Sequence, residues 1–416
     1  MSADCCFSTL LSAAQRGWLA CDGDEALLSL ALPIEGIDPL LALPQLAEQE
    51  SLQVLWDSAP GLCLAAAGPC QELELAGSRR FEQAQRFADL CLSRLHDTAA
   101  DSPAHARPRV LLRFRFFDQV SERRRSEAVV PSVQAVLPRW QLSRQGRRGW
   151  LRLNGVVSSA ADCRELAEQL WLKHEQLLQT PATPPPLKPQ ALVAATEPET
   201  WRQRYAAALT RGIDLVNSGD LHKLVLAVQH RIVLADTFDP LPLLKRLRRQ
   251  QAGSCRFLWQ RHTGDAFFGA SPERLLSLRA GWLRSDALAG TAGQGDSGAQ
   301  LLRSDKDRRE HELVVETITD QLRRNGLTPR RRRQPQLARH GNLTHLHTPP
   351  TDTTQGQPLP APAEQPPPTP AAARLPRRDP TPRFPTLAPF ARRSHPAPTR
   401  RLASPGHPQL PLSIRR

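Results

Sequence analysis

The chain has 416 residues, 40% of them hydrophobic and 23% charged, and a formal net charge of +14. That apolar fraction excludes a wholly disordered chain, and the length suits two or three domains, or one large domain with an N-terminal extension. No run approaches the roughly 18 consecutive apolar residues of a membrane span, and the opening MSADCCFSTLLSAAQRGWLA lacks the basic start of a secretory signal, so neither is expected.

Eight cysteines occur, but none forms a CxxC pair and no Cys/His cluster has zinc spacing. They read as reduced thiols in a cytoplasmic protein. The basic excess gathers late in the chain: residues 351–416 hold ten Arg, no Lys, three acids and 17 of the 39 prolines. Basic runs at 123–125 and 330–333 suggest nucleic acid at first sight. No aromatic residue interleaves with them to stack bases and no groove-reading motif accompanies them, so nucleic-acid binding is not expected.

In chain order, residues 79–97 repeat apolar positions at helical spacing through Phe81, Ala84, Phe87, Leu90, Leu92 and Leu95, which predicts a helix. Residues 108–118 and 149–157 alternate like strands, with AVLPRWQLSR between them. DCRELAEQLWLKHEQLLQ (162–179) predicts an amphipathic helix. Proline density in 180–190 predicts a linker, and a domain boundary is placed there. A helix over 198–217, a strand over 221–228 and a helix over 240–251 follow. Strands are then expected at 255–260, 265–270 and 273–279. Ala280-Gly281 turns the chain into a fourth, over 282–288, and a long helix runs from 304 to 324.

Several residues in this half are suited to chemistry. Lys223 alternates with Val225 and Ala227 on one face of its strand, while Leu224, Leu226 and Val228 take the other. Two apolar faces point to a central strand with an inward lysine, whose lowered pKa would suit a general base; a strand-end lysine snorkelling to solvent is the other reading. Glu273 follows a small-residue turn, Gly269 to Pro272, and opens a strand. Facing a pocket it would serve as a general acid; facing water it is an ordinary surface carboxylate. Ser304 is a candidate N-cap with Asp305 and Asp307 in the first turn. Positions 310, 313, 314, 317 and 321 are expected to share a helix face, so Glu310 would lie on the apolar side and want a partner, either a metal ion or Lys306. ALAGT (287–291) offers backbone N–H groups to an anion, and His345 in LTHLHT is suited to either a structural or a catalytic part, with His347 less constrained.

Taken together and in this order, HKLVLAV, FFGASPERL, ALAGT, SDKDRREHELVV and LTHLHT resemble the chorismate-utilising enzymes, and most closely their isochorismate synthases. The resemblance implies a Mg2+-dependent reaction in which water adds at C2 of chorismate and the C4 hydroxyl leaves. It matches Lys223 to the water-activating base and Glu273 to the acid that protonates the leaving hydroxyl. Glu310 matches a Mg2+ glutamate, Gly290 and Thr291 the loop lining the ring pocket, and His345 a histidine near the leaving group. The ammonia-using relatives, such as anthranilate synthase, differ at the position of Lys223; salicylate synthase shares it and is the nearest enzymatic alternative. The implied fold is α+β, with large, mostly antiparallel sheets packed face to face and helices outside. Residues 1–180 would form the N-terminal region and 191–350 the chorismate-binding catalytic region. A monomer without membrane or nucleic-acid partners is expected, and either a quinone or a siderophore pathway would fit the product.

Residues 351–416 follow the family pattern in register but in damaged form, and are expected to be irregular, because prolines at 380, 382, 385, 396, 405, 408 and 411 break regular elements. Pro367 stands where the family resembles HPTPA, Arg400-Arg401 where it has Gly-Trp, and Gln409 where a Glu is usual. Ala388-Pro389-Phe390 stands for an EPF motif, and Arg415 matches the substrate-binding arginine of the IR motif. Each of the His to Pro, Gly to Arg, Trp to Arg and Glu to Gln changes needs one base change to cytosine, the mark of a misread or decayed gene. The family's glycine-rich anion loop, second Mg2+ glutamate and substrate-binding lysine would follow Arg416. The expectation is an impaired enzyme, with a non-catalytic remnant as the reading of another class and a disordered basic tail as the plainest one.

Overall fold

The computed structural model describes residues 3–21, 25–58, 61–115, 131–179, 191–195, 198–221, 224, 226, 232–262, 264–279, 281–293, 298–353, 399–403 and 412–415, the last two stretches by their backbone. The first part of the chain forms α1 (Ala3–Leu19), β1 (Ala26–Glu35), α2 (Pro39–Leu46), β2 (Gln53–Asp57), β3 (Leu62–Leu75) and α3 (Arg80–Arg94). It continues with β4 (Leu95–Asp97), β5 (Arg109–Phe114), β6 (Val133–Gln145), β7 (Arg148–Val157) and α4 (Ala160–Gln179). The second part runs through β8 (Leu192–Ala195), α5 (Pro198–Asn217), β9 (Ile232–Leu234), α6 (Pro240–Gln250), β10 (Cys255–His262), β11 (Asp265–Ser271) and β12 (Arg274–Arg279). It then forms β13 (Trp282–Arg284), β14 (Ala287–Ala292), α7 (Gly298–Arg303), α8 (Asp305–Arg324), β15 (Gln336–His340), β16 (Leu343–Thr348) and β17 (Thr351–Thr353). Two short strands close the described chain, β18 (Thr399–Ala403) and β19 (Leu412–Arg415).

Fourteen of these strands form one sheet in the order β11-β10-β2-β3-β6-β5-β18-β19-β12-β13-β17, with β7 beside β6, β1 beside β7 and β4 beside β1. All its pairings are antiparallel except the parallel contact of β1 with β4. The alternation of β5 divides the core. Leu111 turns to a cluster made only of strand and strand-edge residues, including Val54, Trp56, Leu64, Ala66, Val136 and Trp259. Val110, Leu112 and Phe114 turn the other way, against Ala84, Ala88 and Leu92 of α3. A third cluster packs α1, α2, α4 and α6 on the helix-facing side of β1, β3, β6, β7 and β10. The result is the expected α+β architecture, with a strand-lined core and helices outside it.

The starts of α2 and α6 share one local pattern. Asp38 and Asp239 each accept a hydrogen bond from the backbone N–H two residues on, at 3.1 and 3.0 Å, ahead of a proline in the first turn. Four expectations change. The helix expected over 79–97 ends at Arg94, because Leu95 to Asp97 pair in parallel with Leu27 to Ser29. The single strand expected over 282–288 is two strands in different sheets, since Ser285 and Asp286 divert their backbone N–H groups to Pro350 and Arg274. Residues 351–416 are not irregular throughout: Thr351–Thr353, Thr399–Ala403 and Leu412–Arg415 are strands. These three windows contain no proline, so every backbone N–H can join a ladder. The linker over 180–190 and most of the strand over 221–228, Lys223 included, lie outside the described residues; Leu221, Leu224 and Leu226, which are described, are not in a strand.

Strands from both sides of the expected boundary meet where β2 pairs with β10. At that seam Asp57, 0% exposed, lies 2.9 Å from the Arg256 guanidinium and 2.6 Å from that of Arg248, and accepts from the Cys63 thiol at 2.9 Å. Arg248 also pairs with Asp38 at the N-terminus of α2. Burial opposes the Arg248 charge, but hydrogen bonds and attraction from Asp38 and Asp57 outweigh it and raise its pKa. The six cysteines whose side chains are described are free thiols.

Asp57→Ala should cost about 3–5 kcal/mol, because it leaves Arg256 buried without its counter-charge. Urea unfolding of the two proteins measures this, and a loss below about 1 kcal/mol would show that the seam tolerates an unpaired arginine.

Candidate active site

Gly290 is the bulged residue of β14: Ala289 pairs with Leu346 and Thr291 with His345, leaving Gly290 unopposed. Its φ is +70°, and a Cβ there would lie 3.2 Å from the Asp307 Cβ. Both the backbone conformation and the close approach of α8 therefore require glycine. The bulge turns the Gly290 carbonyl toward His345 Nδ1 at 3.3 Å, with the Thr291 hydroxyl 3.1 Å from the same nitrogen. The Gly290 carbonyl only accepts, so its contact with Nδ1 pairs with a hydrogen on that nitrogen, while the Thr291 hydroxyl can either accept from Nδ1 or donate to it. Burial lowers the His345 pKa and the Gly290 carbonyl partly opposes that shift, so the ring is neutral at neutral pH.

Helix α8 begins as predicted. The Ser304 hydroxyl accepts from the Asp307 N–H at 3.2 Å, and Asp305 and Asp307 fill the first turn. Its buried face differs from the expected one by a residue. His311, Val314, Val315, Ile318 and Thr319 are buried, Val314, Val315 and Ile318 pack on Ala287 and Ala289 of β14, and Glu310 is half-buried at the flank. The 3.6-residue period places His311, not Glu310, in line with Val314, Val315 and Ile318. His311 Nε2 lies 2.8 Å from the Thr348 hydroxyl, and burial pushes its pKa down to about 4.

Glu273 precedes β12 and is half-buried, and the Ser271 hydroxyl donates to its carbonyl at 3.3 Å. The next residue, Arg274, is opposite Arg415 of β19 in the ladder, so the backbone brings two positions 141 residues apart together. The predicted residues thus fall into two groups. Gly290, Thr291 and His345 meet at the bulge, with Glu310 on the helix packed behind it. Glu273 and Arg415 lie at adjoining ends of β12 and β19, two neighbouring strands inside the large sheet. Lys223 lies outside the described residues. Between the groups lies Asp286, a buried acid that sequence reasoning passed over. Its carboxylate is 3.0 Å from both Arg284 and His347. The only signal for it was an acid just before a run of small apolar residues.

Among the described residues no group of three or more His, Cys, Asp or Glu side chains is arranged to hold a metal ion. Mg2+ keeps much of its water and needs one or two carboxylates besides substrate oxygens. Glu310 is a half-buried carboxylate on α8 and, among the described residues, is not part of a closed cage, so it would fit a hard cation only as one ligand beside water and substrate oxygens.

The family model described as chorismate binding enzyme matches residues 12–415. Over 331 residues the chain is 29% identical to the salicylate biosynthesis isochorismate synthase of Pseudomonas aeruginosa, covering 78% of this chain and 67% of that protein. It is 30% identical over 200 residues to the isochorismate synthase MenF of Haemophilus influenzae, covering 46% of this chain and 45% of that protein. The aligned stretch thus spans less than half of the second relative. The fold is similar to that of MenF, the menaquinone-specific isochorismate synthase from Escherichia coli. The TM-score is 0.65 at 21% identity, covering 97% of this chain and 89% of the other.

Burial opposes the charge of Asp286, but the His347 hydrogen bond and the Arg284 and Arg274 charges outweigh it and hold the carboxyl below the usual carboxylate range. A depressed folded pKa contributes stability above the unfolded value, about 3.9, and loses it as pH falls through the folded one. The acid limb of stability should therefore be shallower in Asp286→Asn than in the parent chain. Urea unfolding between about pH 5 and pH 2 reads this directly, and identical slopes would remove Asp286 from the linkage.

Proposed function

Because the chain belongs to the chorismate-binding enzyme family, we propose that it converts chorismate to isochorismate, adding water at C2 and expelling the C4 hydroxyl. The observation that carries this reading is the match of one family model across residues 12–415, which takes in all five motifs in their order. Residues 191–350 form the catalytic region in this reading, 1–180 the N-terminal region and 351–416 a degenerate end of the catalytic region.

Lys223 takes the proton of the attacking water, for which burial would lower its pKa toward neutrality. Glu273 gives a proton to the departing C4 oxygen, so the hydroxyl leaves as water and the sum is an isomerisation. Gly290 and Thr291 border the ring, and the ring of His345 is oriented by Nδ1 so that Nε2 is free to meet a substrate hydroxyl. Arg415 binds a substrate carboxylate. Glu310 is the residue that would hold Mg2+, which when bound supplies positive charge against the ring carboxylate. Water rather than ammonia is the nucleophile in this reading, because the ammonia-using relatives differ at the position of Lys223 and a base there suits the activation of water.

Activity is proposed to be impaired. Pro367, Arg400, Arg401 and Gln409 depart from the family pattern, and arginines in place of Gly-Trp add charge and bulk in β18, which pairs with β5 and β19. No described helix is long and apolar enough to cross a membrane. A cytoplasmic monomer feeding quinone or siderophore synthesis completes the proposal.

The experiment is to express residues 1–416, supply chorismate with saturating Mg2+, and follow isochorismate by liquid chromatography. Slow formation is expected, well below that of the Escherichia coli MenF under the same conditions. An equal rate would show that the C-terminal substitutions are tolerated. Anthranilate formed from chorismate and ammonia would replace this reading with the amine-using one.

Lys223→Ala should abolish the product while leaving the melting temperature and chorismate binding near those of the parent; near-normal turnover would remove the lysine from the mechanism. Glu310→Gln keeps the shape and removes the charge, so the Mg2+-induced rise in melting temperature should disappear along with turnover. An unchanged metal response in that variant would move the metal elsewhere.

A further inference from the structure

The crossing between β13 and β14 carries a buried carboxylate that no step above uses. Here the chain passes from the 14-stranded sheet to the three-stranded sheet β14-β16-β15. The return passage, between β16 and β17, consists of Pro349 and Pro350, which have no N–H to donate. The two passages are bound by the Ser285 N–H, which donates to the Pro350 carbonyl at 3.0 Å. The Ser285 hydroxyl donates to the Leu275 carbonyl at 2.6 Å, and the Asp286 N–H to the Arg274 carbonyl at 3.0 Å.

Asp286 is buried, its side chain 8% exposed. Its Oδ1 accepts from Arg284 Nε at 3.0 Å and lies 3.0 Å from His347 Nε2, and its Oδ2 faces Arg274 Nε at 3.9 Å. His347 is two residues beyond His345 and therefore on the same face of β16. Arg274 follows Glu273. Backbone hydrogen bonds already join the passages, and an apolar residue would bury here at least as favourably as an ionised one. A carboxylate adds direction: it draws His347 and Arg274 to a single point from two sheets.

We propose that Asp286 is a positioning residue, whose carboxylate holds the His347 end of β16 against the Arg274 end of the Glu273 turn and so sets the separation of Glu273 and His345. This rests on the reading that Glu273 and His345 act on one chorismate ring.

Calorimetric titration of the full chain with chorismate tests it, in the parent, Asp286→Asn, His345→Ala and the double variant. Asp286→Asn should raise Kd about tenfold, the effect of losing hydrogen bonds to a charged group. In the His345→Ala background the same substitution should change Kd less than about twofold, because its effect passes through His345. A merely structural part would weaken binding equally in both backgrounds, and that result overturns the proposal, as does an unchanged Kd in Asp286→Asn. Circular dichroism and melting temperature check each variant. If Asp286→Asn fails to fold, His347→Gln breaks the same link and takes its place in the cycle with the same expected and overturning results. If the parent chain binds no chorismate, or His345→Ala leaves Kd unchanged, the functional reading falls and the proposal with it. If both hold and the Asp286 effect is absent, the proposal alone falls.

Discussion

Asp57 is the point at which the two parts of the chain become one structure. It ends β2, and its carboxylate, fully removed from solvent, satisfies Arg256 on the neighbouring β10 and Arg248 on α6. Arg248 reaches on to Asp38, which also caps α2. One buried acid thus fixes the register of a strand pair and the seating of two helices, all at residues separated by about two hundred positions in the sequence. A buried ion network of this sort adds little net stability over apolar packing, but it admits few alternative arrangements, because any other leaves a charge in the core without a partner. The helix-covered cluster around Leu55, Leu241, Leu244 and Leu258 supplies the bulk of the burial on that side.

The site is built where regular pairing is interrupted. Gly290 breaks the β14–β16 ladder by one residue, and that break aims a carbonyl and a hydroxyl at His345. Ser285 and Asp286 break the run from β13 to β14, and that break brings the Glu273 turn against the strand that carries His345 and His347. An uninterrupted strand would have satisfied its own ladder and presented neither feature. The apolar contact of α8 on β14 gives both interruptions a rigid backing, since Val314, Val315 and Ile318 fill the space over Ala287 and Ala289.

Within the last 66 residues, Thr399–Ala403 and Leu412–Arg415 pair with β5 and β12 in the large sheet. Strand pairing uses backbone groups that every residue but proline carries, so windows of four or five residues suffice. The impairment proposed above lies in side chains and not in this pairing: Pro367, Arg400, Arg401 and Gln409 are the positions it rests on.

Most of what was legible in the sequence is local in origin. The span of α8 and its Ser304 cap follow from residues within four positions of one another. The alternation of residues 108–118 and 149–157 announced strands for the same reason, the first described over Arg109–Phe114, and five motifs in a single order identified the family without any coordinates. The candidate site was legible as residue types, but its spatial grouping was not. Nothing near Asp57 foretells arginines at 248 and 256, and nothing near Asp286 foretells His347, because those partners are distant in sequence and become neighbours only when the strands pair. The burial of His311 in place of Glu310 was likewise decided by which face of α8 meets β14, a choice that a one-residue rotation of the helix reverses. The sequence by itself determined the type of the elements that its periodicity announced, because spacing and capping act within a turn or a strand, whereas the stop of α3 at Arg94 and the break between β13 and β14 were set by pairing with distant segments. Only the tertiary structure decided which polar groups are buried together, because the energy of a buried charge depends on the partner that the rest of the chain brings to it.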